Sequence, residues 1–147
     1  MDTSDKDTPI LAAASAAKAE FVVTENVKDF GRADLEALSM SAVHPDMFLT
    51  TRVTDEEYCF VLESIAERRQ RDPRTPAAIH AAEAPNKLPR LFLAHRDRFR
   101  LDPKIQPGNP ARVQFRGARC VLCATISKKP DVLINGLCQL CLGATAG

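Results

Sequence analysis

The stretch Asp7-Thr8-Pro9-Ile10-Leu11-Ala12-Ala13-Ala14, followed by Phe21-Val22-Val23-Thr24, decides the fold class. Threonine caps a helix start well, and proline suits the first helical position, where its missing N–H costs nothing. The alanine-rich run from Ile10 to Lys18 sustains that helix. Phe21 to Thr24 is apolar, β-branched and halted by polar residues, the pattern of a short buried strand. Residues 25–33 read as a loop, Asp34 to Leu38 as a short helix and Ser41 to His44 as a second short strand. These elements make half of an α/β unit. Two strands alone lack the neighbours and the cover that a parallel sheet needs. The expectation is a sheet with exposed edges and a chain that associates or is partly molten.

Beyond Pro45 the pattern turns helical. Thr54-Asp55-Glu56-Glu57 is a capping box, and Tyr58, Val61, Leu62 and Ile65 form an apolar stripe at helical spacing. Thr75-Pro76 opens another helix to about Ala84. Leu88, Leu91, Phe92, His95 and Phe99 mark a third, ending before Pro103. Pro103, Pro107, Gly108 and Pro110 make residues 102–110 a linker.

The 147 residues suit one domain, or a small domain with an appendage. Apolar residues form 45% and charged residues 27%, ordinary for a chain that buries a core. Tryptophan is absent and aromatics are 5%, so that core is aliphatic and alanine-rich. No run of 18 apolar residues crosses a membrane. The polar, acidic start Met1 to Asp7 is unlike a secretory leader, so a cytoplasmic location with reduced cysteines is expected. The net charge of +1 hides an asymmetry of −8 over residues 1–65, +5 over 66–104 and +4 over 105–147. An acidic front suits cations and a basic back suits phosphates; solvated helix faces give the same sums.

The acidic constellation is Asp5-Lys6-Asp7 before the first helix and Thr24-Glu25-Asn26-Val27-Lys28-Asp29-Phe30 after the first strand. Oxygen donors at a helix start and at a strand's carboxyl end converge in α/β folds. Clustered carboxylates hold Mg²⁺ or Mn²⁺ for phosphodiester chemistry. The structural alternative is a dipole partner at Asp7 and a turn former at Asn26.

Asp7-Thr8-Pro9-Ile10-Leu11-Ala12-Ala13-Ala14, then Phe21-Val22-Val23-Thr24-Glu25-Asn26-Val27-Lys28-Asp29-Phe30, resembles the second half of a PIN domain, the metal-dependent nuclease fold of VapC-type toxins. His44-Pro45-Asp46-Met47-Phe48-Leu49 resembles the step after the final strand of one PIN subgroup, whose helical extension residues 54–100 match in length and capping. The resemblance covers roughly residues 5–101. It implies an α/β fold in which residues 1–50 are the C-terminal half of a parallel PIN-like sheet and 51–104 the helical extension. It also implies four acidic positions around Mg²⁺ or Mn²⁺, RNA as substrate and a cognate antitoxin as partner. The third position falls on Asp7 and the last on Asn26 and Asp29, which are the catalytic and magnesium-binding candidates. The first two acidic positions and the central strand have no counterpart here. Little or no ribonuclease activity is therefore expected of this chain alone, and a complementing N-terminal segment would restore it.

Arg68, Arg69, Arg71 and Arg74 follow the capped helix, and Arg90, Arg96, Arg98 and Arg100 decorate the last one. Arginines hold RNA phosphates and stack on bases, which makes Arg96, Arg98 and Arg100 candidates for RNA contact; the alternative is cations that complement a helix C-terminus. His44, His80 and His95 share no metal-site spacing and read as surface or half-buried residues. Cys59 reads as a small, half-buried residue.

Residues 105–147 form the linker and a cysteine tail. Cys120-Val121-Leu122-Cys123 and Cys138-Gln139-Leu140-Cys141 are two C-x₂-C pairs with a 14-residue spacer. Four thiolates suit tetrahedral Zn²⁺. The pattern looks like a small zinc ribbon, with strands over Cys123 to Ser127 and Val132 to Ile134 joined by Lys128-Lys129-Pro130-Asp131. It lacks the glycine that usually follows the second cysteine of each pair. Unliganded cysteines in a loose tail, or a tail that does not fold, are the competing readings. Three function classes follow: a PIN-like ribonuclease toxin fragment, a non-catalytic nucleic-acid- or partner-binding module with a zinc tail, and a nonfunctional product of a truncated or frame-shifted frame.

Overall fold

A computed structural model describes residues 2–99, 103–127 and 136–145. They fall into two compact units, Met1–Thr51 with Ala111–Gly147, and Arg52–Pro110. Among the described residues no helix is long and apolar enough to cross a membrane.

In the first unit, helix α1 (Thr8–Ala16) starts one residue earlier than its cap suggests. Asp7 takes the N-cap position, Pro9 sits in the first turn, and Thr8 Oγ1 donates to the Ser4 carbonyl at 3.1 Å. Strand β1 (Phe21–Val23) follows, then a 3₁₀ turn (Val27–Asp29), helix α2 (Arg32–Ala37), strand β2 (Ser41–Val43) and helix α3 (Pro45–Arg52). β1 and β2 are parallel, with Phe21 opposite Ser41, Val22 opposite Ala42 and Val23 opposite Val43. The α/β class is as expected.

The sheet, however, is mixed and has a third strand. β3 (Phe115–Gly117) runs antiparallel to β2, pairing Ser41 with Gly117, Ala42 with Arg116 and Val43 with Phe115. The expected bare two-strand sheet is therefore corrected: β2 is central and fully buried because the chain after the linker covers its open edge. Gly117 makes this approach possible. Its φ of +135° disfavours other residues, and a Cβ there would meet the Ser41 backbone. Two clusters hold the unit. Leu11, Val22, Val27, Phe30, Leu35, Met40 and Ala42 pack on one side, and Val43, Met47 and Val121 pack with Phe21, Phe48 and Phe115.

The second unit is helical. Helix α4 (Asp55–Arg68) carries the expected capping box: Thr54 Oγ1 accepts the Glu57 N–H while Glu57 reaches back to the Thr54 N–H. Tyr58 and Leu62 are buried, but Val61 and Ile65 of the same stripe are exposed. Helix α5 (Pro76–Lys87), capped by Thr75, runs three residues past its expected end, with Pro85 in its last turn. Helix α6 (Pro89–Ala94) is shorter than its apolar spacing suggests and gives way to a 3₁₀ turn at Asp97–Phe99.

Candidate metal centre

β3 delivers the chain straight into the first cysteine pair. Arg119 and Ile126 form an isolated antiparallel bridge, and between them the backbone turns sharply. The Cys120 N–H donates to the Thr125 carbonyl at 3.0 Å, and the Ala124 N–H donates to the Cys120 carbonyl at 2.9 Å. Ala124 closes this knuckle in the left-handed region, at φ +62°. That is the position where the sequence lacks the usual glycine. Residues 123–127 are thus a turn with one bridge rather than a ribbon strand. The expected second strand, Val132 to Ile134, and the turn over 128–131 lie outside the described residues.

The second pair comes from a helix. Cys138 precedes α7 (Gln139–Thr145), and Cys141 lies in its first turn. Gly136, at φ +75°, lets the chain pass close to Val121 and the Phe115 ring, where a Cβ would collide. Its carbonyl accepts the Val121 N–H at 2.7 Å, which joins the knuckle to the helix start.

The four sulfurs of Cys120, Cys123, Cys138 and Cys141 lie within 4.8 Å of one another. Zn–S bonds of about 2.3 Å at tetrahedral angles imply sulfur–sulfur edges of about 3.8 Å. Cys123 Sγ and Cys138 Sγ are 3.8 Å apart. The donor set therefore fits Zn²⁺ in number, chemistry and spacing. The Cys138 N–H also points at Cys120 Sγ, at 3.4 Å; such a bond stabilises a thiolate ligand. Without a cation the thiols cannot all ionise. The Thr125 hydroxyl and N–H hold Cys123 down to about 6, whereas desolvation, followed by its sulfur neighbours, pushes Cys141 up. A bound dication removes that conflict.

The centre is anchored to the sheet. Ser41 Oγ donates to the Arg119 carbonyl at 3.0 Å and accepts the Arg119 N–H at 2.8 Å. The Arg119 guanidinium donates to the carbonyls of Ser39 at 2.6 Å and Ala124 at 2.7 Å, and pairs with Glu20 at 3.2 Å. Cys120 and Val121 are wholly buried, Cys138 and Cys141 half-buried, and Cys123 exposed.

The other candidates are placed differently. The chain before α1 does meet the turn after β1: the Ser4 N–H donates to the Asp29 carbonyl at 2.9 Å, and Lys6 pairs with the Asp29 carboxylate at 3.8 Å. The Asp7 carboxylate accepts from the Ser4 hydroxyl, and the Asn26 N–H donates to Thr24 Oγ1 at 3.1 Å. Among the described residues, the four cysteines are the group of His, Cys, Asp or Glu that gathers three or more metal donors; Asp7 and Asp29 have no such company. Nothing supports Mg²⁺ or Mn²⁺ there. Arg96 donates to the carbonyls of Pro103 and Ile105 and lies over the Phe92 ring, and Arg98 Nε lies 3.0 Å from Cys59 Sγ. Both have structural partners within the helical unit. Arg100 lies outside the described residues.

His80 and His95 form a cluster with Tyr58 and Phe92 that the sequence pattern does not reveal, while His44 lies in the first unit, where its Nδ1 accepts the Asp46 N–H at 3.1 Å. All three histidines are buried. His80 Nδ1 and the Tyr58 hydroxyl are 2.7 Å apart, and His95 Nδ1 meets the Asp55 carboxylate at 2.6 Å. The Tyr58 ring stands 4.4 Å from that of His95, while His80 stacks on Phe92. His80 Nε2 is buried with no hydrogen-bond partner. Burial pushes His80 down and Tyr58 up to about 12. His95 was detectable, since it shares the spacing of Leu91, Phe92 and Phe99.

No protein-family model, curated protein or solved structure matches this chain.

Proposed function

We propose that this chain is a non-catalytic binding module for nucleic acid or a partner chain, built around a structural zinc centre. The carrying observation is the set of four sulfurs within 4.8 Å. All four positions are protein ligands, and a closed Cys₄ set keeps no open site for water or substrate, which suits a structural ion and not a catalytic one. Zinc here joins two short segments of the chain, the knuckle that follows β3 and the start of α7. For RNA contact, the exposed Arg68 at the end of α4 and Arg71 beyond it are better placed than Arg96, which is half-buried on the Pro103 and Ile105 carbonyls, and Arg98, which is exposed but held against Cys59.

A second reading, descent from a PIN-like ribonuclease toxin, draws support from one feature. The start of α1 and the turn after β1 meet at Ser4 and Asp29, beside a parallel strand pair. In that reading Asp7, Asn26 and Asp29 are the remnant of a magnesium site, and a complementing segment or an antitoxin is the partner.

The test is removal of the metal. Chelation should speed amide exchange across β3 and residues 118–127 while leaving α4 and α5 protected. Equal protection with and without chelator would defeat the zinc-centred reading. Fluorescence anisotropy with single-stranded RNA, repeated on Arg68→Ala/Arg71→Ala, then separates the ligands: RNA binding lost in the variant selects nucleic acid, and no binding selects a partner chain.

A further inference from the structure

We propose that Cys123 is an oxidation site through which peroxide unlocks the zinc centre, by closing a disulfide with Cys138. The inference rests on the zinc reading above and adds a regulatory chemistry to it. Oxidation of a cysteine needs access as well as thiolate character. The four ligands differ in access: Cys120 is wholly buried, Cys138 and Cys141 are half-buried, and Cys123 is exposed. Its neighbour is already in place. Cys138 Sγ stands 3.8 Å away, on a different segment of the chain.

The step balances. The Cys123 thiolate attacks one oxygen of hydrogen peroxide, the O–O bond breaks, and hydroxide leaves with a sulfenic acid formed. The Cys138 thiolate then attacks that sulfur, the S–S bond forms, and the second hydroxide leaves. Each hydroxide takes a proton from solvent. The two sulfurs lose two electrons and the peroxide oxygens gain them, giving one disulfide and two waters. Only Cys120 and Cys141 then remain as ligands, and Zn²⁺ returns to solvent.

The structural consequence follows from the anchoring of the knuckle. Val121 belongs to the cluster of Val43 and Met47, and its N–H is bonded to Gly136 beside the second pair. Losing the metal loosens that junction, and β3 loses the support of the element that follows it. The edge of β2 is covered by β3, so oxidation uncovers it.

The experiment treats the zinc-loaded full chain with hydrogen peroxide and follows Zn²⁺ with a chromogenic chelator. Disulfides are mapped by mass spectrometry after alkylation. The expected result is release of about one Zn²⁺ per chain with a Cys123–Cys138 disulfide, reversed by thiol reductant and added zinc. Cys123→His keeps a Cys₃His ligand set, and it should release zinc at least about tenfold more slowly. Release as fast from that variant, or a disulfide without Cys123, would overturn the inference. Should Cys123→His hold no zinc, the disulfide map of the unaltered chain decides alone. A full chain that carries no zinc defeats the zinc reading and this inference together; zinc that peroxide does not release defeats this inference alone.

Discussion

Ser41 Oγ bonds both backbone groups of Arg119, donating to its carbonyl and accepting from its N–H across 78 residues of sequence. This one hydroxyl takes the place of a strand partner where β3 ends, and it ties the cysteine knuckle to the central strand. Ser41→Ala should lower stability by about 1–3 kcal/mol, the cost of leaving such groups unpaired. Urea unfolding of the zinc-loaded chain measures it. A change within about 0.5 kcal/mol would mean that the knuckle is not held through Ser41.

Ala124 is held at φ +62°, where a Cβ costs about 1–2 kcal/mol. Glycine adopts this conformation freely, although it loses more entropy on folding. Ala124→Gly should therefore leave the zinc-loaded protein as stable or up to about 1 kcal/mol more stable. It should also hold the metal at least as tightly in a competition titration. Marked destabilisation would show that the knuckle does not take this turn.

His80 is buried against Tyr58, Phe92 and Phe99, and burial holds its pKa below the usual His value. Above about pH 6.5 the ring is neutral in both folded and unfolded chains, so it adds no pH dependence. As the pH falls below that value, the unfolded chain takes up the proton more readily than the folded one, and stability is lost. His95, which faces the same cluster, opposes a charge on His80, and the Asp55 carboxylate lies 2.6 Å from His95 Nδ1. The helical unit should unfold more easily at pH 5 than at pH 7. His80→Gln should be less stable at neutral pH but show a flatter profile over that range. An unchanged slope in the variant would assign the pH dependence to other groups.

A metal-dependent RNA cleavage assay on the purified chain should detect little or no activity, because among the described residues Asp7 and Asp29 gather no third donor to place Mg²⁺. Misplacing a reacting group by about 1 Å already costs on the order of 10²-fold in rate. Cleavage that both Asp7→Asn and Asp29→Asn abolish would show a working nuclease site.

What the sequence reveals here follows the range of the interactions. The Thr54–Glu57 capping box, the Thr75 cap and the strand at Phe21–Val23 are set by neighbours within a few residues, and they stand where local patterns put them. The cysteine cluster was equally legible, because the spacing within each pair is itself the signal. β3 was not. Its alternation, Val113, Phe115 and Gly117 against Gln114 and Arg116, is short and lies among prolines, and only the distant edge of β2 makes it a strand. α5 passes Pro85 because the Leu88 N–H still closes the last turn on the Ala84 carbonyl at 2.8 Å. The burial of His80 depends on Tyr58, 22 residues away, which supplies the partner that an apolar core otherwise denies it.

Metal content of the full chain, expressed with zinc and measured by elemental analysis and native mass spectrometry, tests the central claim most directly. About one Zn²⁺ per chain is expected, lost when Cys120 and Cys123 are replaced by Ser and retained in Cys59→Ser. Metal-free protein with four freely titratable thiols at Cys120, Cys123, Cys138 and Cys141 would contradict it.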